Sequence, residues 1–390
     1  MSTAVESVLE LFTESVAPEP EEITAERHRV RAFLEQATQS GLMISECDSW
    51  LSGHSAAFSA ELGRQGWIGM TWPEQYGGRA TSAPARFAVI EELLAAGAPV
   101  AAHWFSDRQI GPSLLRHGSE AQREFFLPAM TRGELFFCIG MSEPESGSDL
   151  GSVRSRASQT TGGWLVNGSK IWTSHADKAH YMLALVRTGR VEERAAEALT
   201  QVIIDMRQPG ITVRPIRTLD GREHFCEVIF DDVFVPDDNV LGRVGGGWRQ
   251  VMGELGFERS GPERFLSTFP MFAALASDKG EPNQARDEDL GSVIARLSVL
   301  RAMSTRINHH LDGAEAPGVA AAIVKDLGTT LENDTIDITR RWMDSIADPQ
   351  RASDVSRWFA QAQTHAPGFT LRGGTNEIMR GIIARALEVS

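Results

Sequence analysis

The stretches "CIGMSEPESGSDLGSVRSRA" (138–157) and "GWLVNGSKIWTSHADKAHYMLALVRT" (163–188) decide the predicted fold. The first is a loop dense in glycine and small hydroxylated residues. In the second, Asn167-Gly168 lies between "WLV" and "KIW" and predicts a hairpin, because a type I′ turn needs positive φ at both central residues. A hairpin carrying Trp172 and Ser174 can pack an aromatic face against a planar heterocycle and hydrogen-bond its rim.

The apolar residues change their period on either side of these stretches. From about residue 25 to 133 the spacing is mainly helical, and from 135 to 240 it is two, as in "TQVIIDM" and "EVIFDDVFV". After "GRVGGGW" (242–248) helices are predicted around 248–276, 290–310, 319–343 and 376–387. The pattern predicts an α+β chain with an N-terminal helical domain (1–134), a middle β-barrel or sandwich domain (135–245) and a C-terminal helical bundle (246–390).

Composition excludes several classes of partner and site. Asp and Glu number 52 against 38 Lys and Arg, for a net charge of −14, so we expect no nucleic-acid partner and no anionic membrane surface. Cys47, Cys138 and Cys226 have no paired spacing, which predicts neither a disulfide framework nor a zinc site. The acidic N-terminus resembles no signal peptide, and no apolar run reaches membrane-spanning length. We therefore predict a cytoplasmic protein.

Generic motifs add little. "GRVGGGW" lacks the strand-glycine-helix context of a dinucleotide fingerprint or a P-loop, and a turn into a helix is the better interpretation. The histidines, including His309-His310, show no ligand spacing with a carboxylate, so no metal is assigned. Without a Gly-x-Ser-x-Gly elbow or a reactive cysteine context, covalent hydrolase chemistry has no support.

The stretch "TLRGGTNEIMRGIIAR" (370–385) combines two glycines with a helical start. Gly373 and Gly374 leave the chain free to turn and backbone N–H groups free to point at a ligand, which suits an anion or a carbonyl oxygen. The alternative is an ordinary loop entering a helix with Thr375 as its N-cap. The stretch alone leaves both interpretations open.

The order and spacing of these motifs resemble the acyl-CoA dehydrogenase family. Its members show a Thr/Ser-Glu-Pro-x-x-Gly-Ser-Asp loop, an Asn-Gly hairpin leading to Trp-x-Thr/Ser, and a terminal Gly-Thr-x-Glu/Gln-Ile helix. The resemblance covers nearly the whole chain. It implies a helical, β, helical three-domain fold, FAD as cofactor, an acyl-CoA thioester as substrate and reoxidation by an electron-transferring flavoprotein.

The resemblance also implies a set of cofactor-binding residues. It places Met141 and Ser142 beside the pyrimidine side of the flavin, while Trp172 and Ser174 cover its face and reach the hydride-accepting nitrogen. A purely structural interpretation also exists, since Trp172 is equally suited to a strand core.

Three further residues follow from the same resemblance. Ser148, in "GSD", corresponds to a contact with the CoA arm, although a serine there also suits the cap of a turn. Thr375 and Glu377 correspond to the position where the terminal loop meets the cofactor's phosphates and ribityl chain.

The position of the catalytic base departs from the commoner family pattern. Many members carry a glutamate immediately before the Gly-Thr pair, where this chain has Gly373, which cannot remove an α-proton. Isovaleryl- and long-chain-type members instead place the base in a segment ending Glu-Arg. The segment "MGELGFERSGPERF" (252–265) matches it without a gap, which implies Glu258 as catalytic base with Arg259 beside it at the substrate.

A local feature supports Glu258. Pro262 has no N–H, so the carbonyl of Glu258 loses its helical partner and the helix should kink there, beside the candidate base. The alternative is that Glu258 is simply solvated on a helix face, with Glu254 and Glu263 as the next candidates for the base.

Gly373 then has a different role in the predicted reaction. Its backbone N–H, together with a flavin ribityl hydroxyl, is suited to bind the thioester oxygen as enolate charge develops. The inferred reaction is removal of the α-proton by Glu258 and transfer of the β-hydride to FAD, giving a trans-2-enoyl thioester.

Two family segments are missing from the sequence. Homotetrameric members bind the ADP half of FAD through a neighbouring subunit, with an Arg-x-Gln-Phe-Gly and a Gln-x-x-Gly-Gly segment. Here the corresponding stretches read "LASDKGEPNQ", with Ala276 at the Arg position and Lys279 at the Phe position, and "ITRRWMDSIADPQR". The pattern is similar to the α2β2 dehydrogenases of bacterial steroid side-chain breakdown, and it implies a homologous partner subunit that completes the cofactor site.

Two other functions remain open at this point. A flavin oxidase or monooxygenase on the same fold would react rapidly with oxygen. A noncatalytic companion subunit would lack a base, and the presence of Glu258 argues against it.

Overall fold

The computed structural model describes residues 11–12, 18–190, 193–278, 280–310 and 318–387, without the side chains of residues 195, 254–258 and 310. Its strands form one sheet in the order β1-β4-β2-β3-β7-β6, with β5 paired to β4. Neighbouring strands are antiparallel except for β1 with β4 and β2 with β4, which are parallel. The strands are β1 (Phe137–Gly140), β2 (Arg156–Thr160), β3 (Gly163–Ser174), β4 (Tyr181–Arg187), β5 (Leu199–Asp205), β6 (Ile211–Ile216) and β7 (Phe225–Pro236).

The hairpin of β2 and β3 turns at Gly162, whose φ is 75°, and not at Asn167-Gly168. The predicted type I′ turn is therefore wrong. β3 continues through Asn167, which exchanges two hydrogen bonds with Asp232 on β7: Nδ2 to Oδ1 at 2.7 Å and the Asp232 N–H to Oδ1 at 3.0 Å. The register of β3 on β7 shifts at this point. Pairing with a distant strand overrides the local turn preference, and the dipeptide forms a bulge.

Helices precede and follow the sheet, which confirms the α+β class with a middle sheet domain between helical regions. The predicted domain boundaries at 134/135 and 245/246 stay a prediction. The helices before the sheet are α1 (Glu21–Gln39), α2 (Ser49–Ser52), α3 (Ala56–Gln65), α4 (Ala83–Ala95), α5 (Ala101–Phe105), α6 (Gly111–His117) and α7 (Glu120–Thr131). A π-helical turn, Ser106–Ile110, joins α5 to α6, and the short α8 (Ala195–Ala198) precedes β5. The later helices are α9 (Gly247–Glu258), α10 (Phe269–Ala276), α11 (Gln284–His310), α12 (Gly318–Trp342), α13 (Pro349–Phe369) and α14 (Asn376–Ala386).

Capping side chains explain several helix starts. Thr375 is the N-cap of α14, and its hydroxyl accepts a hydrogen bond from the Ile378 N–H at 3.3 Å. Asp348 caps α13 in the same way, accepting from the Arg351 N–H at 2.8 Å, with a proline as the first helical residue. α13 was not among the predicted helices, although this Asp-Pro pair was a readable start signal.

The predicted helical segment 248–276 is interrupted. α9 ends at Glu258, a 3₁₀ turn follows at Pro262–Arg264, and α10 begins at Phe269. The interruption is a helix end and not the predicted kink. Because Pro262 has no N–H to donate to the carbonyl of Glu258, the α-helical hydrogen bonding cannot continue through this point.

The chain divides into two compact units, and the first consists of Met1–Gly53, Ser82–Pro99 and Leu255–Ser390. In this unit the guanidinium of Arg27 on α1 contacts Glu91 at 2.7 Å and Glu92 at 2.9 Å on α4. Arg301 on α11 also contacts the Glu91 carboxylate, at 2.6 Å. These ion pairs link three helices around a core to which α10, α12 and α13 contribute buried apolar residues.

The second unit consists of His54–Thr81 and Val100–Glu254 and contains the sheet. One core lies along β3, β4, β5 and β7 and includes Val166, Met182 and Val228. A second core packs α6 and α7 on the sheet, where the ring of Phe126 meets that of Phe137 edge-on at 5.3 Å between centroids. The alternating apolar residues of the strands supply both cores.

Two further features concern the whole described chain. Among the described residues, no helix combines the length and apolar character that crossing a bilayer requires, and no group of three or more His, Cys, Asp or Glu side chains is placed to hold a metal ion.

Cys47, Cys138 and Cys226 are free thiols, and burial raises the pKa of each. Thiols of this kind react slowly as nucleophiles.

Candidate functional site

A buried ion pair anchors the loop that joins β1 to β2. Lys170 on β3 is fully buried, and its Nζ donates to Glu143 Oε1 at 2.8 Å and to the Met141 carbonyl at 3.1 Å. The Glu143 carboxylate accepts from the backbone N–H groups of Arg154 at 2.7 Å and Ser155 at 2.9 Å. The two ends of the loop are thus held together by one carboxylate.

Both members of this pair are charged at neutral pH. Burial lowers the pKa of Lys170 to about 8, against the opposing effect of Glu143. For Glu143, burial alone would raise the pKa, but the charge and hydrogen bond of Lys170 outweigh it and the pKa is lowered. Neither residue was among those predicted from the sequence. The sequence pattern that indicates Lys170 is its place in an alternating strand, at an even spacing from the buried Trp164 and Val166, where an apolar residue is expected.

Of the residues predicted to contact the cofactor, Met141 and Ser142 are half-buried at the start of this loop. The Ser142 carbonyl accepts from the Ile171 N–H at 2.9 Å, which attaches the loop directly to β3. Ser148 lies farther along and is exposed, next to Gly147, which has open space around it. The predicted CoA contact is therefore accessible to a ligand.

Trp172 lies at an irregularity near the end of β3. The register with β7 shifts between Lys170 and Thr173, and Trp172 has a φ of 58°, in the left-handed region. Its side chain is 55% exposed and meets the Phe225 ring edge-on at 5.9 Å between centroids. The strand-core interpretation of Trp172 does not hold, because the strand presents this ring to solvent at a local distortion.

The residues after Trp172 complete a short polar edge. Ser174 pairs with Phe225 in the ladder and is 9% exposed. The Oγ1 of Thr173 is buried and has no hydrogen-bond partner among the described residues. A planar heterocycle can pack against the exposed ring of Trp172, whereas the buried Thr173 hydroxyl is not open to a ligand on that surface.

The loop before α14 forms a second group of candidate residues. Gly373 and Gly374 have φ values of 70° and 88°, and a Cβ at Gly374 would lie 2.9 Å from Met379 Cε and 3.3 Å from a guanidinium nitrogen of Arg259. Within the described residues, the structure gives the Gly373 N–H no hydrogen-bond acceptor. Both glycines are required by the backbone, and one amide is left available to a ligand.

Arg259 joins this loop to the end of α9. Its Nε donates to the Gly373 carbonyl at 3.1 Å, across 114 residues of sequence. Glu258 is the last residue of α9, and its side chain, like that of Glu254, lies outside the described set. Glu263 is buried against Gly261 in the 3₁₀ turn.

Thr375 and Glu377 follow on the first turn of α14. Thr375 serves as N-cap, so its hydroxyl is engaged with the helix. The exposed Glu377 carboxyl has its pKa lowered by a hydrogen bond to its own backbone N–H and by the Thr375 hydroxyl. The capped-helix interpretation of this stretch is thus correct for Thr375, and it is compatible with an available amide at Gly373.

The predicted site residues therefore fall into two groups. Met141, Ser142, Ser148, Trp172 and Ser174 lie in the unit that contains the sheet, and Glu258, Arg259, Gly373, Thr375 and Glu377 lie in the helical unit. Lys170 with Glu143 anchors the loop that begins at Met141 and Ser142, and Arg259 is bonded to the loop that contains Gly373.

The stretches at the missing family segments have other local structure. Ala276 is the last residue of α10, and Lys279 lies outside the described residues. In the second stretch, Arg340 pairs with Asp337 on the surface of α12, and a 3₁₀ turn follows at Met343–Ser345.

Comparison with known proteins gives two matches to family models and many similar chains. Residues 20–134 match the N-terminal domain of acyl-CoA dehydrogenase, and residues 138–233 match its middle domain. The acyl-CoA dehydrogenase FadE29 of Mycobacterium tuberculosis is 30% identical over 380 residues, covering 93% of this chain and 96% of FadE29.

Two further comparisons differ in coverage. The acyl-CoA dehydrogenase FadE34 of Mycobacterium tuberculosis is 31% identical over 328 residues, which cover 84% of this chain but 45% of FadE34, so the chain spans about half the length of that relative. The crystal structure of the ChsE4-ChsE5 complex from Mycobacterium tuberculosis matches with a TM-score of 0.77 and 25% identity, over 96% of this chain and 99% of that one.

Proposed function

The chain belongs to the acyl-CoA dehydrogenase family, and from that premise we propose that it oxidises an acyl-CoA thioester to the trans-2-enoyl-CoA with FAD as cofactor. The observation that carries the proposal is the hydrogen bond from Arg259 Nε to the Gly373 carbonyl. It joins the segment that ends in Glu258-Arg259 to the Gly-Gly loop. The proposed base, Glu258, and the proposed oxyanion donor, Gly373, must lie close together if they act on the same thioester.

The residues of this chain have separate roles in the proposed reaction. Glu258 removes the α-proton, and the carboxylate oxygen that receives it becomes a carboxylic acid. The N–H of Gly373 donates to the thioester oxygen as negative charge develops there. FAD, when bound, would supply the acceptor for the β-hydride.

The cofactor and substrate contacts in this proposal follow the two groups of residues. Met141, Ser142, Trp172 and Ser174 would hold the flavin ring, and Thr375 with Glu377 would contact the rest of the cofactor. The exposed ring of Trp172 supports the assignment. Ser148, Arg259 and Gly373 contact the acyl-CoA.

The acceptor and the pathway complete the proposal. The proposed electron acceptor is an electron-transferring flavoprotein, in keeping with dehydrogenase chemistry. The absence of the ADP-binding segments resembles the pattern of the α2β2 enzymes of bacterial steroid side-chain breakdown, so steroid catabolism is the proposed pathway.

Anaerobic mixing with acyl-CoA thioesters of different chain length and branching tests the function. We expect at least one thioester to bleach the flavin absorbance within seconds, and air to restore it slowly, because a dehydrogenase passes electrons to a protein acceptor. CoA without an acyl group is the control and should cause no bleaching. Rapid reoxidation by oxygen without a thioester requirement would favour the oxidase or monooxygenase, and no bleaching by any thioester would favour the companion subunit.

The missing segments also predict the assembly. Expressed alone, the chain should bind FAD weakly or be poorly soluble, because the flavin-ring residues anchor only one end of the cofactor. With a homologous partner chain that carries the Arg and Gly-Gly segments, it should form a heterotetramer with about two flavins per four chains, one at each combined site. Analytical ultracentrifugation monitored at flavin and protein wavelengths measures both quantities.

One outcome contradicts this assembly. A homotetramer of this chain with one tightly bound FAD per subunit would show that another cation, such as Lys279 or Arg340, replaces the family's Arg. Arg340→Gln in that homotetramer would then identify the cation, since loss of one phosphate-binding charge should weaken FAD binding.

A further inference from the structure

Arg372 directly precedes Gly373, and several interactions fix its side chain. Nη1 donates to both oxygens of Asp48, at 2.6 and 2.7 Å, and Nη2 donates to Ser267 Oγ at 3.0 Å. The guanidinium also lies over the rings of Trp50, at 4.4 Å, and Phe369, at 4.9 Å. A planar guanidinium bound in this way has one allowed orientation.

Asp48 is a permanent anion in this arrangement. It is almost fully buried and has a φ of 54°, and His365 Nδ1 lies 3.2 Å from Oδ2. Burial alone would raise the pKa of its carboxyl, but the charge of Arg372 and the hydrogen bonds of His365 and Arg372 outweigh burial and lower the pKa to about 2. The anchor for Arg372 is therefore charged throughout the neutral range.

A second buried basic side chain holds the chain on both sides of the glycines. Lys325 on α12 is fully buried, and its Nζ donates to the Thr370 carbonyl at 3.1 Å and to Asn376 Oδ1. The Asn376 N–H in turn donates to the Thr370 carbonyl at 3.0 Å. The backbone is thus tied at 370, 372 and 376, which leaves Gly373, Gly374 and Thr375 as the short segment between ties.

Stability alone does not require charged groups here. Replacing a buried ion pair with apolar side chains of similar volume is often neutral or stabilising. The Asp48–Arg372 pair therefore orients the backbone more than it raises the free energy of unfolding. The group that it orients is the peptide between Arg372 and Gly373, because a residue with a fixed side chain restricts where the following N–H points.

We propose that Arg372, held by Asp48 and assisted by Lys325, is a positioning residue that aims the Gly373 N–H at the thioester oxygen. The inference rests on the proposed dehydrogenase function. It predicts that the geometry of the Asp48–Arg372 pair controls how strongly the site stabilises an enolate, and that the effect appears in the chemical step and not in the binding of the neutral thioester.

The expected change in kcat follows from the usual contribution of an oxyanion donor to the rate. Loss of one oxyanion donor typically lowers kcat by ~10²–10³-fold, and a misaimed donor loses part of that. Arg372→Lys keeps the charge but loses the second nitrogen that bonds Ser267 and the planar group over Trp50 and Phe369. We expect kcat about tenfold lower or more with little change in KM. Arg296→Gln is the matched control, because Arg296 pairs with a single aspartate, Asp334, at 2.7 Å on a partly exposed surface between α11 and α12.

The test uses the flavin-loaded full-length chain, with its partner chain where one is needed, and acetoacetyl-CoA as the probe. This small thioester has an acidic α-proton, and its enolate on oxidised flavin gives a long-wavelength absorbance that can be titrated with pH. In Arg372→Lys the pH midpoint for enolate formation should rise by about one unit, a tenfold loss of enolate stabilisation, with unchanged affinity at low pH. Hydrogen exchange of the 371–376 backbone without substrate should also accelerate, but not in Arg296→Gln.

The outcomes separate the inference from the function on which it rests. A wild-type enolate band together with an unchanged midpoint in Arg372→Lys overturns the positioning role, even if hydrogen exchange is faster. The absence of any enolate band in the wild type overturns the proposed function and the inference with it. If Arg372→Lys does not fold, Ser267→Ala, which removes one hydrogen bond to Arg372 and spares the Asp48 pair, should shift the midpoint in the same direction by a smaller amount.

Discussion

Glu258→Gln should lower the rate of flavin reduction by acyl-CoA ~10²–10⁴-fold, the usual effect of removing a general base. The amide keeps the size of the side chain but cannot accept the α-proton, so flavin content and thioester affinity should stay near wild-type values. Stopped-flow absorbance under anaerobic conditions measures the rate directly. A substrate deuterated at the α-carbon should then show a larger isotope effect than in the wild type, because proton removal becomes fully rate-limiting.

Two neighbouring carboxylates serve as controls for Glu258. Glu254→Gln and Glu263→Gln make the same chemical change within five residues, and both should remain active. Glu263 is buried, so its variant is compared per folded, flavin-loaded site. Near-normal reduction by Glu258→Gln, together with a large loss in either control, would move the base to that residue.

Lys170→Met should lower the free energy of unfolding by about 3–5 kcal/mol, because it leaves the Glu143 carboxylate buried without its cation. The loop from Met141 to Ser155 should also loosen, since Glu143 holds the N–H groups at its far end. Urea denaturation followed by tryptophan fluorescence measures the stability. Weaker flavin binding should accompany the loss, because Met141 and Ser142 begin the same loop.

Two variants show whether the orphaned charge causes the effect of Lys170→Met. Adding Glu143→Gln should recover most of the lost stability, because the neutral amide removes the buried charge and its oxygen still accepts from a backbone N–H. Lys178→Met should change stability by roughly 0–1 kcal/mol, since Lys178 is about half exposed and lies 3.9 Å from its partner Asp177. Equal effects of Lys170→Met and Lys178→Met would show that the buried pair contributes nothing.

Local preferences predicted the element types but failed where two distant segments compete. The Asn167-Gly168 dipeptide satisfies the local rule for a hairpin turn, yet β3 continues through it because Asn167 bonds to Asp232, 65 residues later. α13 shows the opposite case, since its start follows a local signal, Asp348 before a proline, that the broader periodicity concealed.

The anchoring residues of the site were harder to find from the sequence. Lys170 and Arg372 are ordinary charged residues in the sequence, and their role depends on burial against Glu143 and Asp48. A buried charge is recognised by what surrounds it, and its partners lie 27 residues away in one case and 324 in the other.

By itself, the sequence determined the order of helical, sheet and helical regions, the strands β4 to β7, the helix start at Thr375 and the two glycines before it. These features follow from periodicity, capping and backbone freedom. Each of these acts over a few residues, so a short stretch of sequence is enough to predict them. Only the tertiary structure decided where the β2–β3 hairpin turns, that Trp172 faces solvent, and that Arg259 reaches Gly373. These depend on strand pairing, burial and contacts between distant segments. Such contacts stabilise the chain only after the loops between the segments have closed.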